Sequence, residues 1–202
     1  YKYAFLDRNR DWREERARLE RDGCKIKLEC RCCDSDRPPP CRPGAVGCCG
    51  PRRPEVGNPA EVTATICADR LRLDELETER TVAHELVHAF DACRGFQMDC
   101  GNRANGQSQD HFDSLCNCAK AACKEFRARR KERPDLDREA VWRWYRNSGN
   151  YWLLHGCEFG VDHGQFSEQD VKSMLFNRCP GARIADPAYP EIPNPGVSGG
   201  QE

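Results

Sequence analysis

Two histidines and a glutamate stand at a spacing that could bind a metal ion and use it. His84, Glu85 and His88 form the pattern H-E-x-x-H within TVAHELVHAFDACR (81–94). On an α-helix, residues four apart share a face, so both imidazoles could reach one ion at about 2.0–2.1 Å. Glu85 would lie about 100° further round the same turn, where it could take a proton from a water that the ion polarises. The spacing predicts one catalytic Zn²⁺ bound by His84 and His88, with Glu85 as the general base of a peptidase.

A catalytic zinc takes three protein ligands and a water, so the sequence must supply one more ligand. Asp91 and Arg94 stand where the longer pattern H-E-x-x-H-x-x-G-x-x-H has glycine and histidine, which excludes that form. Glu125 is favoured instead, because it borders the apolar face of a predicted helix, where an unpaired carboxylate would be costly. His111 is the alternative. On one helix it would lie about 21 Å from Glu125, so the two cannot both be ligands.

The remaining candidates of the site are an aspartate and two histidines. Asp91 lies one helical turn beyond His88 and is expected to accept a hydrogen bond from one of the imidazoles and so orient it. His155 and His163 rank behind Glu125 and His111 as ligands.

Fifteen cysteines are spread from Cys24 to Cys179. Their close spacings are C-R-C-C at 30–33, C-C at 48–49 and C-N-C at 116–118. This usage favours disulfides in an oxidising compartment over cytosolic metal sites. The odd number predicts at least one cysteine outside any intrachain disulfide.

Composition excludes several other functions. Thirty-two basic and 33 acidic residues leave a formal net charge of −1, which does not support nucleic-acid binding and disfavours a nuclear metallopeptidase acting near DNA. No apolar run is long enough to span a bilayer, and none resembles the core of a secretory signal. The chain begins at Tyr1 rather than methionine, so we expect it to be a fragment that need not include a targeting segment.

The chain divides into three predicted parts. Residues 1–22 predict a charged N-terminal helix, residues 23–181 a metallopeptidase domain, and residues 182–202 an extended or disordered tail rich in Pro and Gly. Within the domain, the stretch at 34–60 is dense in Pro, Gly and Cys. It is expected to be a disulfide-stapled surface loop without regular structure.

The strands and helices of this domain can be read from periodicity. Alternating apolar residues predict strands at 24–30 and 61–67. By analogy with zinc peptidases, residues 62–66 are expected to offer a strand edge to an extended substrate. The apolar faces predict helices at about 110–132 and from Leu136, and an S-x-x-D capping signature at Ser167 predicts a last one. Four aromatic residues are close together in the sequence: Trp142, Trp144, Tyr145 and Trp152. We expect them to belong to the hydrophobic core, and a membrane-interface patch is the alternative.

The sequences HELVHAFDACR (84–94) and ACKEFRA (122–128) resemble the signature segments of a family of metallopeptidases of the mitochondrial intermembrane space. Cysteines near Cys33, the pair Ile66-Cys67, and Cys179 with Arg183-Ile184 extend the resemblance over residues 23–184. Lys120 is a departure, because the family usually has a histidine there. If that histidine were the third ligand, this chain would have lost it, and Glu125 is the safer residue to carry over.

The resemblance implies a fold, a compartment and a substrate. The fold would be α+β and zincin-like, with a small sheet packed on the H-E-x-x-H helix, additional helices and many disulfides. The enzyme would be a zinc metalloendopeptidase, peripheral on the inner membrane, that matures a membrane subunit of ATP synthase and assists assembly of that complex. The alternative is a zinc-stabilised assembly chaperone whose proteolysis is dispensable.

Overall fold

The structure is a computed structural model that describes residues 10–34, 41, 43–51, 61–71, 75–94, 98–103, 106–147 and 157–180. Its elements, in chain order, are α1 (Arg10–Arg21), β1 (Lys25–Arg31), β2 (Gly47–Pro51), β3 (Glu61–Cys67), α2 (Glu75–Cys93), α3 (Gln109–Glu132), α4 (Arg138–Asn147), α5 (Cys157–Asp162) and α6 (Glu168–Arg178). The predicted α+β class is therefore confirmed. The predicted tail at 182–202, together with His155 and Trp152, lies outside the described residues.

A three-stranded sheet forms one layer, in the order β1-β3-β2. β1 runs parallel to β3, with Ile26 opposite Val62, and β2 runs antiparallel to β3, with Gly47 opposite Ile66. The apolar residues that alternate along β1 and β3 are buried in the same core as α2, which explains why both predicted strands are confirmed.

β2 corrects two predictions. Residues 34–60 were expected to lack regular structure, and this is wrong for Gly47–Pro51. The segment GCCGP has poor strand propensity. It forms a strand because β3 offers it an open edge, so pairing with β3 rather than local propensity determines its structure. Residues 62–66 were expected to offer their edge to a substrate. That is also wrong, because β3 is the central strand and is hydrogen-bonded on both sides. The edge beside α2 belongs to β2.

The side chains pack into two main cores. One joins α1, the sheet and α2, and its largest fully buried members include Trp12 and Phe90. The other surrounds α3 and takes in residues of α4, α5 and α6. Trp142 and Tyr145 are buried in this second core, so the predicted core role is confirmed for them. The two cores meet where α2 packs against α3.

Six disulfides follow the same division, which confirms that the cysteines form intrachain disulfides. The first half, which comprises α1, the sheet and α2, contains the disulfides Cys24–Cys93, Cys33–Cys67 and Cys41–Cys48. The second half, which comprises the described residues from Met98 to Pro180, contains Cys100–Cys116, Cys118–Cys157 and Cys123–Cys179. Cys30, Cys32 and Cys49 lie outside these pairs. All fifteen cysteines are in the described part of the chain, and no disulfide joins the two halves. Such bonds suit an oxidising compartment.

The helix boundaries follow local signals in the sequence. Ser108 caps α3, its side chain accepting a hydrogen bond from the backbone N–H of His111. Ser167 and Asp170 form the predicted capping box at the start of α6. In the described part of the chain, no helix combines the length and the apolar character needed to cross a bilayer.

Candidate metal centre

The H-E-x-x-H segment lies in the C-terminal half of α2, where most side chains are buried. Ala83, Leu86, Val87 and Phe90 belong to the core shared with the sheet. Since these residues fix how the helix is rotated, His84 and His88 are left on the side that faces α3. The helical period therefore places both imidazoles at the interface between α2 and α3.

Glu125 of α3 completes a three-residue cluster with the two histidines. The Nε2 atoms of His84 and His88 are 3.1 Å apart. One carboxylate oxygen of Glu125 lies 3.5 Å from His84 Nε2, and the other lies 3.5 Å from His88 Nε2. Tetrahedral coordination at about 2.0–2.1 Å requires ligand atoms about 3.3 Å apart, so the three side chains fit a zinc ion. The structure brings together the ligand set that the sequence favoured.

A buried ion pair holds α3 against α2 beside this cluster. The Nε and Nη2 atoms of Arg127 each donate to Asp91 at 3.1 Å, and both side chains are almost fully buried. Arg127 Nη1 also donates to the backbone oxygen of Pro180 at 2.8 Å. The expectation that Asp91 orients an imidazole is corrected here. Its two carboxylate oxygens bind the guanidinium, because the helix packing turns Asp91 toward Arg127.

Glu132 takes the place beside the imidazole that the sequence assigned to Asp91. Its Oε2 lies 3.1 Å from His84 Nδ1, and its Oε1 accepts a hydrogen bond of 2.5 Å from Arg129 Nη1. A carboxylate on the second ring nitrogen fixes which tautomer and which orientation His84 adopts. Sequence analysis missed Glu132. The available signal was its spacing of seven residues from Glu125, which puts both glutamates on one face of α3.

The charges of the cluster favour a cation. Burial disfavours a charged His84, but contacts with Glu125 and Glu132 outweigh burial and raise its pKa to about 10. Burial also opposes ionisation of Glu125, yet contacts with His84 and His88 hold the pKa of its carboxyl well below the usual range. The carboxylates therefore stabilise positive charge at the imidazoles, and a divalent metal ion would satisfy the same groups.

Glu85 is buried next to the cluster, and burial raises the pKa of its carboxyl. Among the described residues, its Oε2 has no hydrogen-bond partner. Gly47 of β2 lies directly against this side chain, since a Cβ on Gly47 would come within 2.8 Å of both Cγ and Oε1 of Glu85. The edge strand and the candidate general base are thus in contact. A carboxylate held this way is available for proton transfer to a group bound in front of it.

The other candidate ligands lie elsewhere. His111 sits in the first turn of α3 with its ring 6.3 Å from that of Phe166, and His163 is exposed in a turn after α5. A second group with metal-like spacing consists of Cys33, Cys41 and Cys67, whose sulfurs lie within 4.8 Å of one another. These sulfurs are engaged in the disulfides Cys33–Cys67 and Cys41–Cys48.

A cleft of about 430 Å³ opens beside the metal cluster on the α3 side. His88 and Glu125 of the cluster line this cleft, and the remaining lining residues are Met98, Asn117, Lys120, Ala121 and Lys124. Its size is in the range of cavities that bind small molecules or single peptide side chains.

Comparison with known proteins gives no family assignment. No protein-family model matches the sequence, and no solved structure matches the chain.

Proposed function

We propose that this protein is a zinc-dependent endopeptidase with a zincin-like arrangement of sheet and motif helix. The observation that supports it best is the spacing of His84 Nε2, His88 Nε2 and the Glu125 carboxylate, which fits tetrahedral coordination. Four-coordinate zinc with three protein ligands leaves one position for water or substrate. Zinc is favoured over Mg²⁺ or Ca²⁺ because two of the three ligands are imidazoles.

Glu85 is the general base of the proposed reaction. A bound zinc ion supplies Lewis-acid chemistry, polarising a peptide carbonyl and making water more acidic. Glu85 takes a proton from the attacking water and passes it to the leaving amine. Its burial and raised pKa suit both steps, since a base must hold the proton before it releases it. Glu132 keeps His84 in its orientation throughout.

β2 is the element that positions the substrate in this proposal. It is an edge strand, and Gly47 brings its backbone against Glu85. An extended peptide that adds to this edge by main-chain hydrogen bonds would have its backbone next to the catalytic residues. This mode of binding tolerates varied side chains, because the contacts are made by the main chain.

The compartment and the physiological substrate are proposed from the sequence resemblance. The protein would act in the mitochondrial intermembrane space, peripherally on the inner membrane, where it matures a membrane subunit of ATP synthase and assists assembly of that complex. The six disulfides support an oxidising compartment of this kind. Its partner is a protein substrate rather than a nucleic acid.

A second candidate function is a zinc-stabilised assembly chaperone. The observation that favours it is the position of the metal cluster between two halves that no disulfide connects. A zinc ion bound by α2 and α3 would hold these halves together whether or not peptide bonds were cleaved. Proteolysis would then be dispensable for assembly.

The substitution Glu85→Gln separates the two functions. It removes the general base and leaves His84, His88 and Glu125 in place, so zinc content and thermal stability should match those of the parent. Cleavage of a peptide substrate should fall by at least about a hundredfold. The measurement is kcat/KM beside zinc content by atomic absorption. Cleavage at the parental rate would refute Glu85 as the base, whereas zinc binding without any cleavage in the parent would favour the chaperone.

A further inference from the structure

The cleft beside the metal cluster has a positive charge that the proposed chemistry does not use. Lys120 and Lys124 are one turn apart on α3 and both line the cleft. Lys120 is half-buried and Lys124 is exposed. Within the described part of the chain, neither forms an ion pair with an acidic residue. Among the described residues that line the cleft, Glu125 is the one carboxylate, and its two oxygens face His84 and His88, so no acidic residue there pairs with the two lysines.

Two other basic residues of α3 differ from these lysines, because they are paired with carboxylates. Arg127 and Arg129 on the same helix are paired with Asp91 and Glu132. A lysine beside a metal cation adds repulsion rather than stability, because like charges at close range raise the free energy of the folded state. An anionic ligand in the cleft would reverse that cost by pairing with both lysines. Placement of unpaired charge at a binding cleft is typical of recognition rather than of folding.

Building on the proposed peptidase function, we infer that this cleft is a specificity subsite that binds a carboxylate of the peptide substrate through Lys120 and Lys124. Because His88 and Glu125 line the same cleft, a carboxylate bound there would lie near the proposed scissile bond. Met98 and Ala121 would contact the aliphatic part of an acidic side chain. The substrate class is therefore peptides with an acidic residue near the cleavage point.

A carboxylate can come from two sources, an Asp or Glu side chain or the free C-terminus of the peptide. Three peptides of one sequence distinguish them: one with an internal glutamate and an amidated C-terminus, one with glutamine at that position and an amidated C-terminus, and one with glutamine and a free C-terminus. A preference for the first peptide identifies an acidic side chain. A preference for the third identifies a C-terminal carboxylate.

The test compares the zinc-loaded parent with the double variant Lys120→Glu/Lys124→Glu. The parent should cleave a carboxylate-bearing peptide about tenfold better than the neutral one, judged by kcat/KM. The double variant should reverse this ratio, and added salt should reduce the parent's preference because the lysines are partly exposed. Lys25→Glu/Lys27→Glu is the matched control, since these lysines lie on β1 at the other edge of the sheet. Its ratio should equal that of the parent.

Binding measurements keep this test independent of proteolysis. The same peptides, carrying a fluorophore, are titrated with zinc-loaded Glu85→Gln protein with and without the two lysine substitutions. Tighter binding of a carboxylate peptide that disappears with Lys120→Glu/Lys124→Glu supports the subsite even if no peptide is cleaved and the peptidase proposal fails. Equal preference in both backgrounds, by cleavage where it occurs and by binding otherwise, would overturn the inference.

Discussion

At the scale of single residues, the third ligand distinguishes a metal centre from a pair of helix histidines. Glu125→Ala removes one of the three proposed ligands, so zinc affinity should fall by at least about a hundredfold. His111→Ala is the control, because that ring lies beside Phe166 and away from the cluster, and its zinc affinity should be parental. Competition with a chromophoric chelator measures both variants. Loss of zinc in His111→Ala with retention in Glu125→Ala would exchange their roles.

The cysteines outside the disulfides differ in their surroundings, and this difference can be measured by alkylation. Burial, with a smaller effect from the nearby Glu85 charge, raises the pKa of Cys49 to about 12. Only the thiolate is alkylated, so at pH 8 native protein should be labelled at the exposed Cys30 and Cys32 long before Cys49. Labelling of Cys49 should accelerate about tenfold per pH unit between pH 8 and 10, where the thiol remains mostly protonated.

Peptide mass spectrometry follows that reaction residue by residue. Denaturation without reduction supplies the control, since Cys49 should then react like the other two and only these three positions should carry the label. Rapid labelling of Cys49 in the native protein at pH 8, or label on any of the twelve paired cysteines, would contradict the structure.

At the scale of elements, β2 links the sheet to the proposed general base, Glu85. Gly47→Ala would place a methyl group against the Glu85 side chain, so either the strand or the carboxylate must shift. Such overpacking costs about 1–3 kcal/mol, and the displaced base should lower kcat/KM by about tenfold or more. Zinc content should remain parental, because the atoms nearest to a Cβ on Gly47 all belong to Glu85 rather than to the three proposed ligands. The measurement is peptide cleavage beside zinc stoichiometry.

Val46→Ala is the matched control for that substitution. Val46 directly precedes β2 and its side chain is exposed, so its truncation should leave cleavage unchanged. If Gly47→Ala cleaved peptides as well as Val46→Ala, close contact between β2 and Glu85 would not be needed for activity, and the edge-strand mode of substrate binding would lose its main support.

At the scale of the whole molecule, the metal is expected to link two halves that each have their own disulfides. Without it, α2 and α3 are joined by side-chain packing and by the buried Asp91–Arg127 pair. At a free zinc concentration 1,000 times the Kd, binding stabilises the fold by about 4 kcal/mol, or on the order of 10 °C in Tm. A chelator should therefore lower the Tm of the parent by about that amount.

Glu125→Ala supplies the control for the chelation experiment. Its Tm should already be low and should not respond to the chelator, while its six disulfides stay intact. Calorimetry measures both proteins under non-reducing conditions. A parent whose Tm is indifferent to chelation would show that packing alone holds the halves together, and the zinc-stabilised chaperone would lose its physical basis.

The sequence by itself determined the features that depend on local spacing. The 3.6-residue period placed His84 and His88 on one face of a helix, and alternation predicted β1 and β3. The capping residue at Ser167 also acts within a few residues of its own position, and cysteine usage was enough to indicate disulfides. Glu125 could be favoured because a carboxylate at the border of an apolar face needs a partner.

Only the tertiary structure decided which residues from distant segments meet. Glu132 replaced Asp91 beside His84 because the packing angle of α3 on α2 turns Asp91 toward Arg127, and no local pattern encodes that angle. β2 forms from a segment with poor strand propensity because β3 offers it an open edge, and so the edge beside Glu85 belongs to Gly47 rather than to residues 62–66. Helix packing and strand pairing depend on residues from distant parts of the chain, whereas the periodicity of one helix or strand depends only on the residues of that element.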